Sequence, residues 1–161
     1  MAELRPDAIR RTDTLDHTPA APSVPLARRR AARLVTGWGH PDLAGDVALV
    51  VSELMTNALL HGSVQDRLIR VRLYATDATL RVEVSDPRAE RQPEVRGAPD
   101  DMDQFGRGLL LVGALADQWG WEPWSAGKTV WAQWGLDQDR ARTCAGDGPT
   151  GTYRFRYTGD V

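Results

Sequence analysis

The strongest constraint on the fold is a long apolar segment in the first half of the chain. Its apolar residues recur at intervals of three and four, which is the spacing of one broad helix face. Asp42 offers an N-cap beside Pro41, and Gly62 after His61 is a stop signal, so we predict one helix between these ends. So wide a stripe has to pack against another layer of secondary structure. The residues of the stripe are Leu43, Val47, Val50, Val51, Leu54, Met55, Ala58 and Leu59.

Segments on both sides of this core helix predict the elements that it packs against. Residues 26–35 are rich in good helix formers and are followed by Gly37, which indicates a shorter first helix. Residues 68–74 and 80–85 instead alternate apolar with polar side chains, as expected of an antiparallel hairpin with one wet face. The core helix therefore precedes a sheet.

The second half of the chain predicts a loop, a helix and two more strands. Residues 86–105 contain three prolines and have no apolar period, which is typical of a long loop with a function or without order. An apolar helix over 109–116 follows, and then strands over 118–124 and 129–136 joined by a turn. The order of elements predicts an α+β sandwich, with helices on one face of a mostly antiparallel sheet.

Both ends of the chain are polar and carry weaker signals. Residues 1–25 contain four prolines and are predicted to be a flexible segment, with a short edge strand over 9–15. Residues 137–161 form a polar, glycine-rich tail in which 153–157 is suited to an extra strand. We therefore place the main domain at residues 26–136.

Composition and charge narrow the classes of function. A net charge of −2 over 161 residues gives no general reason to bind nucleic acid or an anionic membrane, although Arg28, Arg29, Arg30 and Arg33 make one basic cluster. The longest apolar runs are shorter than a membrane span, and no secretory signal opens the chain, so we expect a cytoplasmic protein. Cys144 is the only cysteine, which excludes an intramolecular disulfide and a multi-thiolate metal site.

Two groups of polar residues are candidates for a site. Glu53, Asn57 and His61 follow one another at intervals of four, so they share one side of the core helix. Viewed alone, this line is most simply a solvated helix edge, in which Asn57 caps a neighbouring loop. Asp86 ends the predicted hairpin, and a strand-end aspartate is on its own more often a turn residue than a ligand contact.

A glycine-flanked helix start is the third candidate. Gly106 and Gly108 let a ligand approach the backbone closely, and the following helix presents free N–H groups at the positive end of its dipole. This outlines a phosphate site, although two glycines before a helix are a weak signal alone. Gly127-Lys128-Thr129 looks like the end of a Walker phosphate loop, but Glu122 stands where that motif needs glycine, so we reject a P-loop.

Taken in order, these motifs resemble the Bergerat-fold ATPases, the group that includes gyrase, histidine kinases and MutL-like repair proteins. Within the group, residues 50–62, Gly106-Arg107-Gly108-Leu109 and 127–132 are most similar to the anti-sigma factor serine/threonine kinases. The resemblance covers about residues 26–136. It implies a two-layer α+β sandwich, with helices packed on one face of a mostly antiparallel mixed sheet, and ATP with Mg²⁺ as the ligand.

The resemblance also implies roles for single residues at the phosphate end. Asn57 would coordinate Mg²⁺ through its side-chain oxygen, since that hard cation keeps several waters and is shared with the phosphates. Glu53 would be the general base that accepts a proton from the attacking hydroxyl or water. The triphosphate would be bound by Gly106, Arg107, Gly108 and Leu109.

At the base end, the resemblance implies that Asp86 accepts a hydrogen bond from the adenine amino group. Thr129 would support the adenine side of the pocket, and residues 87–105 would form the ATP lid. The sequence departs from many relatives at Arg88, where they have a glycine that passes close to the base.

Two functions remain open. The first is a kinase that sequesters a sigma factor and phosphorylates an anti-sigma antagonist protein on serine or threonine. The second is a non-catalytic ATP-sensing module that binds a protein partner in bacterial signalling. A homodimer is possible, and no direct contact with nucleic acid is expected, since the arginine cluster is more simply a solvated or partner-facing helix side.

Overall fold

The computed structural model describes residues 8–61, 67–86, 108–124 and 127–136. Within these ranges the chain forms five strands and three α-helices. In chain order the elements are β1 (Arg11–His17), α1 (Ser23–Gly37), a 3₁₀ turn (Pro41–Leu43), α2 (Ala44–His61), β2 (Ile69–Ala75), β3 (Thr79–Asp86), α3 (residues 108–115), β4 (Gln118–Trp124) and β5 (Gly127–Gly135).

The five strands form one sheet in the order β1-β2-β3-β5-β4. Each of the four neighbouring pairs is antiparallel. The chain leaves β3 and forms α3, then runs along the edge as β4 before β5 inserts between β4 and β3. The predicted α+β sandwich, with helices on one face of an antiparallel sheet, is confirmed.

The two faces of the sheet differ in what covers them. Alternate residues of β2 and β3, such as Leu73 and Val82, are buried against α1 and α2. Their sequence neighbours, such as Arg72 and Glu83, lie on the opposite face and are only partly covered. This alternation follows from the period of two in an extended strand. The helix-covered face therefore holds the core, and any cavity between the layers opens from it.

The helix α2 is as apolar as many helices that cross membranes. The segment Pro41–Leu60 has the length and mean hydropathy, 1.5, of a membrane-spanning helix. In this fold its apolar residues, among them Val47, Val51 and Met55, are fully buried in the core with α1 and the sheet. A buried core helix has the same length and hydropathy, so these two properties alone are a weak indication of a membrane span.

Several boundaries differ from the predicted ones for local reasons. Strand β1 runs from Arg11 to His17, two residues later than predicted. Helix α1 begins at Ser23, three residues early, because Pro25 falls in the first turn, where no N–H is required. Asp42 is not the N-cap of α2, since it lies inside the 3₁₀ turn that leads directly into Ala44.

Some predicted features lie outside the described residues. They are the stop signal at Gly62, the loop over 87–105, Gly106, Arg107, the ends of the chain over 1–7 and 137–161, and the extra strand over 153–157.

Candidate functional site

A cavity opens between the helices and the covered face of the sheet. The empty space in it, counted with the open solvent at its mouth, is ≈ 660 Å³. Three of the predicted site residues meet there: Asn57 from α2, Asp86 from the end of β3 and Leu109 from the start of α3. Four smaller apolar side chains also line it: Leu54, Ala58, Val84 and Val130.

One end of the cavity is formed where α2 meets the start of α3. A Cβ atom at Gly108 would lie 2.8 Å from Oε2 of Glu53 and 3.6 Å from both polar side-chain atoms of Asn57. Gly108 is buried, and its φ is not positive, since Gly39 is the positive-φ glycine of the described residues. The glycine is therefore needed for close approach rather than for an unusual backbone. It brings the carboxylate, the carboxamide and a helix N-terminus together.

The far end of α3 is fixed to the sheet. Trp134 is fully buried in β5, and its Nε1–H donates a 2.8 Å hydrogen bond to the carbonyl of Leu115, the last residue of the helix. This bond satisfies one of the carbonyls that a helix end leaves unpaired. A Cβ at Gly113 would lie 3.1 Å from Nε1 of Trp119, so the middle of α3 packs closely on β4. The start of α3 is thereby held against α2.

The other end of the cavity belongs to the sheet. Asp86 is 2% exposed, which is rare for a carboxylate and calls for a polar partner. Asp86 pairs with Lys128 across the β3–β5 ladder. Paired residues project from the same face, and Lys128 also lines the cavity. This part of the cavity thus combines a buried carboxylate, Asp86, and a cation, Lys128, with apolar walls.

Thr129 lies elsewhere. It pairs with Ser85, and its hydroxyl is 2.8 Å from the Ser85 hydroxyl. Both residues alternate with Asp86 and Lys128, so they project from the opposite face of the sheet. The expectation that the Thr129 side chain supports the pocket directly therefore needs correction, and Lys128 and Val130 are the β5 residues at the cavity.

Known proteins share this fold. A family model described as the histidine kinase-like ATPase domain matches residues 17–134. The chain belongs to this family. Among solved structures it is similar to the RsbU and RsbW domains of Rv1364c from Mycobacterium tuberculosis, with a TM-score of 0.59 and 18% identity over 77% of this chain. The chain spans 32% of that chain, and at this identity the likeness shows the fold. No curated protein gives a significant match.

The family implies ATP as the ligand, and the residues present fit it. The space at Gly108 is a cradle that a Cβ would fill. The start of α3 presents N–H groups and a positive dipole end beside an uncharged amide, which suits phosphate oxygens. The buried carboxylate of Asp86 is a hydrogen-bond acceptor at the opposite end. The residues that line the cavity are therefore compatible with a nucleotide.

Three residues of the cavity were missed by the sequence reasoning: Trp119, Trp121 and Lys128. The sequence motifs give the two tryptophans no role in the site, and Lys128 appears only within the motif that begins at Gly127. The available signal was the alternation of side chains along β4 and β5. Trp121 pairs with Val130 and Lys128 with Asp86, so these residues project from the covered face of the sheet. Strand register cannot be read from one sequence without knowing which strands are neighbours.

Proposed function

We propose that this histidine kinase-like ATPase domain binds ATP with Mg²⁺ and is a regulatory protein kinase of the anti-sigma type. The observation that carries the proposal is the close approach of Gly108 to Glu53 and Asn57, beside a cavity that Asn57 and Asp86 both line. These groups suit a ligand that has both an anionic part and a hydrogen-bonding base. An empty apolar pocket would not need a buried acid.

At the phosphate end, Asn57 is proposed to hold Mg²⁺ through Oδ1. One neutral protein ligand is enough, because Mg²⁺ fills its other positions with waters and phosphate oxygens. The amide also avoids repulsion with the triphosphate. The N–H groups of Gly108 and Leu109, the first described residues of α3, are proposed to bind phosphate oxygens. Gly106 and Arg107 keep their expected phosphate roles as part of this proposal.

Glu53 is proposed to be the general base. It lies one helical turn before Asn57, and its carboxylate lies beside Gly108, which is proposed to bind phosphate. As the hydroxyl oxygen of a substrate protein bonds to the γ-phosphorus, the bond from that phosphorus to the bridging oxygen breaks. Glu53 accepts the hydroxyl proton, and ADP leaves with the electron pair. Positioning and charge stabilisation supply most of the rate in such transfers.

The proposed partners are a sigma factor and an anti-sigma antagonist protein. Support comes from the solved RsbW domain of similar fold and from the surface of α1. There Arg28, Arg29 and Arg33 are exposed, whereas Arg30 is bound to Asp13 of β1 at 2.6 Å. The predicted basic cluster therefore divides into three arginines available to an acidic partner surface and one that fastens α1 to the sheet.

The test uses purified protein and partners captured from the native cell with and without ATP. Calorimetry with Mg·ATP measures binding, and phosphosite mapping of the captured proteins measures transfer. We expect Glu53→Ala to reduce transfer to a small residual rate while nucleotide binding is retained, and Asn57→Ala to lose both. Thr56→Ala is the matched control, because that residue is exposed on the same helix. ATP binding without transfer, unchanged by Glu53→Ala, would favour a non-catalytic ATP-sensing module. No ATP binding would refute the proposal.

A further inference from the structure

The indole of Trp121 is placed unusually for a large aromatic side chain. Trp121 lies on the edge strand β4 and is 45% exposed, yet it lines the cavity. It pairs with Val130, so both side chains project from the covered face of the sheet. The exposed part of the ring is therefore apolar surface at the cavity, where a ligand would cover it.

Other tryptophans of the sheet are engaged in packing. Trp134 is fully buried and bonded to α3, and Trp119 packs against Gly113 of the same helix. Trp131 lies on the opposite face, where the Arg81 guanidinium stacks over its ring at 4.1 Å. Trp119 also lines the cavity, but Trp121 differs from these three in being largely exposed.

The register places Trp121 at a useful distance from Asp86. Asp86 of β3 pairs with Lys128 of β5. Two residues before Asp86, Val84 pairs with Val130 of β5, and Val130 pairs in turn with Trp121 of β4. Trp121 is thus two strands away from Asp86 and displaced from it by two residues along the strand direction, on the same face of the sheet. With strands about 4.8 Å apart and about 3.3 Å of rise per residue, the two Cα atoms are separated by about 12 Å. When the Cα atoms are this far apart, there is room for one planar ring system between the Asp86 carboxylate and the Trp121 indole.

We propose that Trp121 is the stacking platform for the purine base of the bound nucleotide, while Asp86 accepts from the edge of the base. The inference rests on the proposed ATP site and adds a specificity residue from the edge strand. A π face recognises a flat base without hydrogen bonds, and indole is the largest such face among the side chains. Leu54 and Ala58 of α2, on another wall of the cavity, enclose the base.

The experiment compares three variants of the full chain by calorimetry with Mg·ATP and by tryptophan emission. Trp121→Ala should weaken ATP binding between about five-fold and about one-hundred-fold, the cost of losing one base–aromatic stack. Trp121→Phe should keep the affinity within about three-fold, because a ring remains. ATP should quench the emission of the wild type, and the quenching should be clearly weaker in Trp121→Phe, in which Trp119 still lines the cavity. Trp131→Phe, on the other face, is the matched control and should keep both affinity and quenching.

The outcomes separate the two proposals. ATP affinity that falls in Trp121→Ala and returns in Trp121→Phe supports stacking, provided that all variants melt as the wild type does. Wild-type protein that binds ATP, with Trp121→Ala equal to it within about two-fold, overturns the stacking role and leaves the ATP site intact. Quenching that is as strong in Trp121→Phe as in the wild type also counts against it. Wild-type protein that binds no ATP overturns both.

Discussion

Replacing Gly108 by alanine tests the phosphate end of the site most directly. The new Cβ would lie 2.8 Å from Oε2 of Glu53, whereas ordinary contacts begin at 3.4 Å, so the carboxylate has to retreat by about 0.6 Å. Because misplacement of a catalytic group by 1 Å costs up to about 10²-fold, we expect the phosphotransfer rate to fall about ten-fold. The atom that moves is the end of a flexible side chain, which makes the shift cheap for the fold.

Stability should change little in this variant. An off-rotamer Glu53 side chain costs about 0.5–1.5 kcal/mol, and alanine replaces a glycine whose flexibility disfavours a helix by about 0.5–1 kcal/mol. These two effects have opposite signs and similar size, so the melting temperature should stay near that of the wild type. Gly45→Ala is the matched control, because nothing lies within 4 Å of its added Cβ on α2. It should keep the full rate and gain slightly in stability.

A double-mutant cycle shows whether the alanine acts through Glu53. Single-turnover transfer of phosphate to the captured substrate protein is measured for Gly108→Ala, Glu53→Ala and the double variant. If the added methyl works by displacing the carboxylate, it should cost nothing further once the carboxylate is absent. A ten-fold loss that persists in the Glu53→Ala background would refute this reasoning and point to the phosphates themselves. An unchanged rate in Gly108→Ala would refute the catalytic placement of Glu53.

Three further predictions concern other parts of the chain. Burial, and then the nearby Arg30, lower the pKa of His17 below its ordinary 6.5, so the unfolded chain binds the proton before the folded chain does. Stability should therefore be constant above about pH 7.5 and fall as the pH drops through about 6.5. Thermal melts of His17→Leu should show a smaller decline over this range. Trp134→Phe removes the donor to Leu115 and should lower the free energy of unfolding by about 1–3 kcal/mol in urea titrations. Asp86→Asn keeps the size but not the charge of the acceptor and should weaken ATP binding about ten-fold in calorimetry while leaving binding of inorganic triphosphate unchanged.

Most of the fold could be predicted from periodicity alone. The apolar spacing of α2 and the alternation of β2 and β3 each report one face of one element, and the elements lie where these patterns indicate. The errors fall at element starts, where local sequence is ambiguous. Asp42 has the chemistry of an N-cap, but the chain uses the residue inside a 3₁₀ turn that Pro41 begins. An aspartate at this position therefore does not show whether it caps α2 or belongs to the 3₁₀ turn before it.

The site was less predictable than the fold because it depends on register. Asn57, Asp86 and Leu109 were found through motifs and do meet at the cavity. Thr129 was placed by the same motif, but a single step along a strand reverses the face, and its hydroxyl bonds to Ser85 instead. Strand neighbours are set by the return of the chain through α3, which no local pattern encodes.

The base end of the site is formed by the sheet and the phosphate end by the helices α2 and α3. This division determines whether ATP binding and phosphate transfer can be changed separately. The base end stands on strands tied into one hydrogen-bonded sheet, with Asp86 and Trp121 both on its covered face. The phosphate end exists only where α3 meets α2, and α3 is held to the sheet chiefly near its C-terminal half, through Leu115 and Gly113. A small tilt of α3 therefore moves Gly108 relative to Glu53 without disturbing the base end. Variants along α3 should for this reason reduce phosphate transfer before they reduce nucleotide affinity, whereas variants in the sheet should do the reverse.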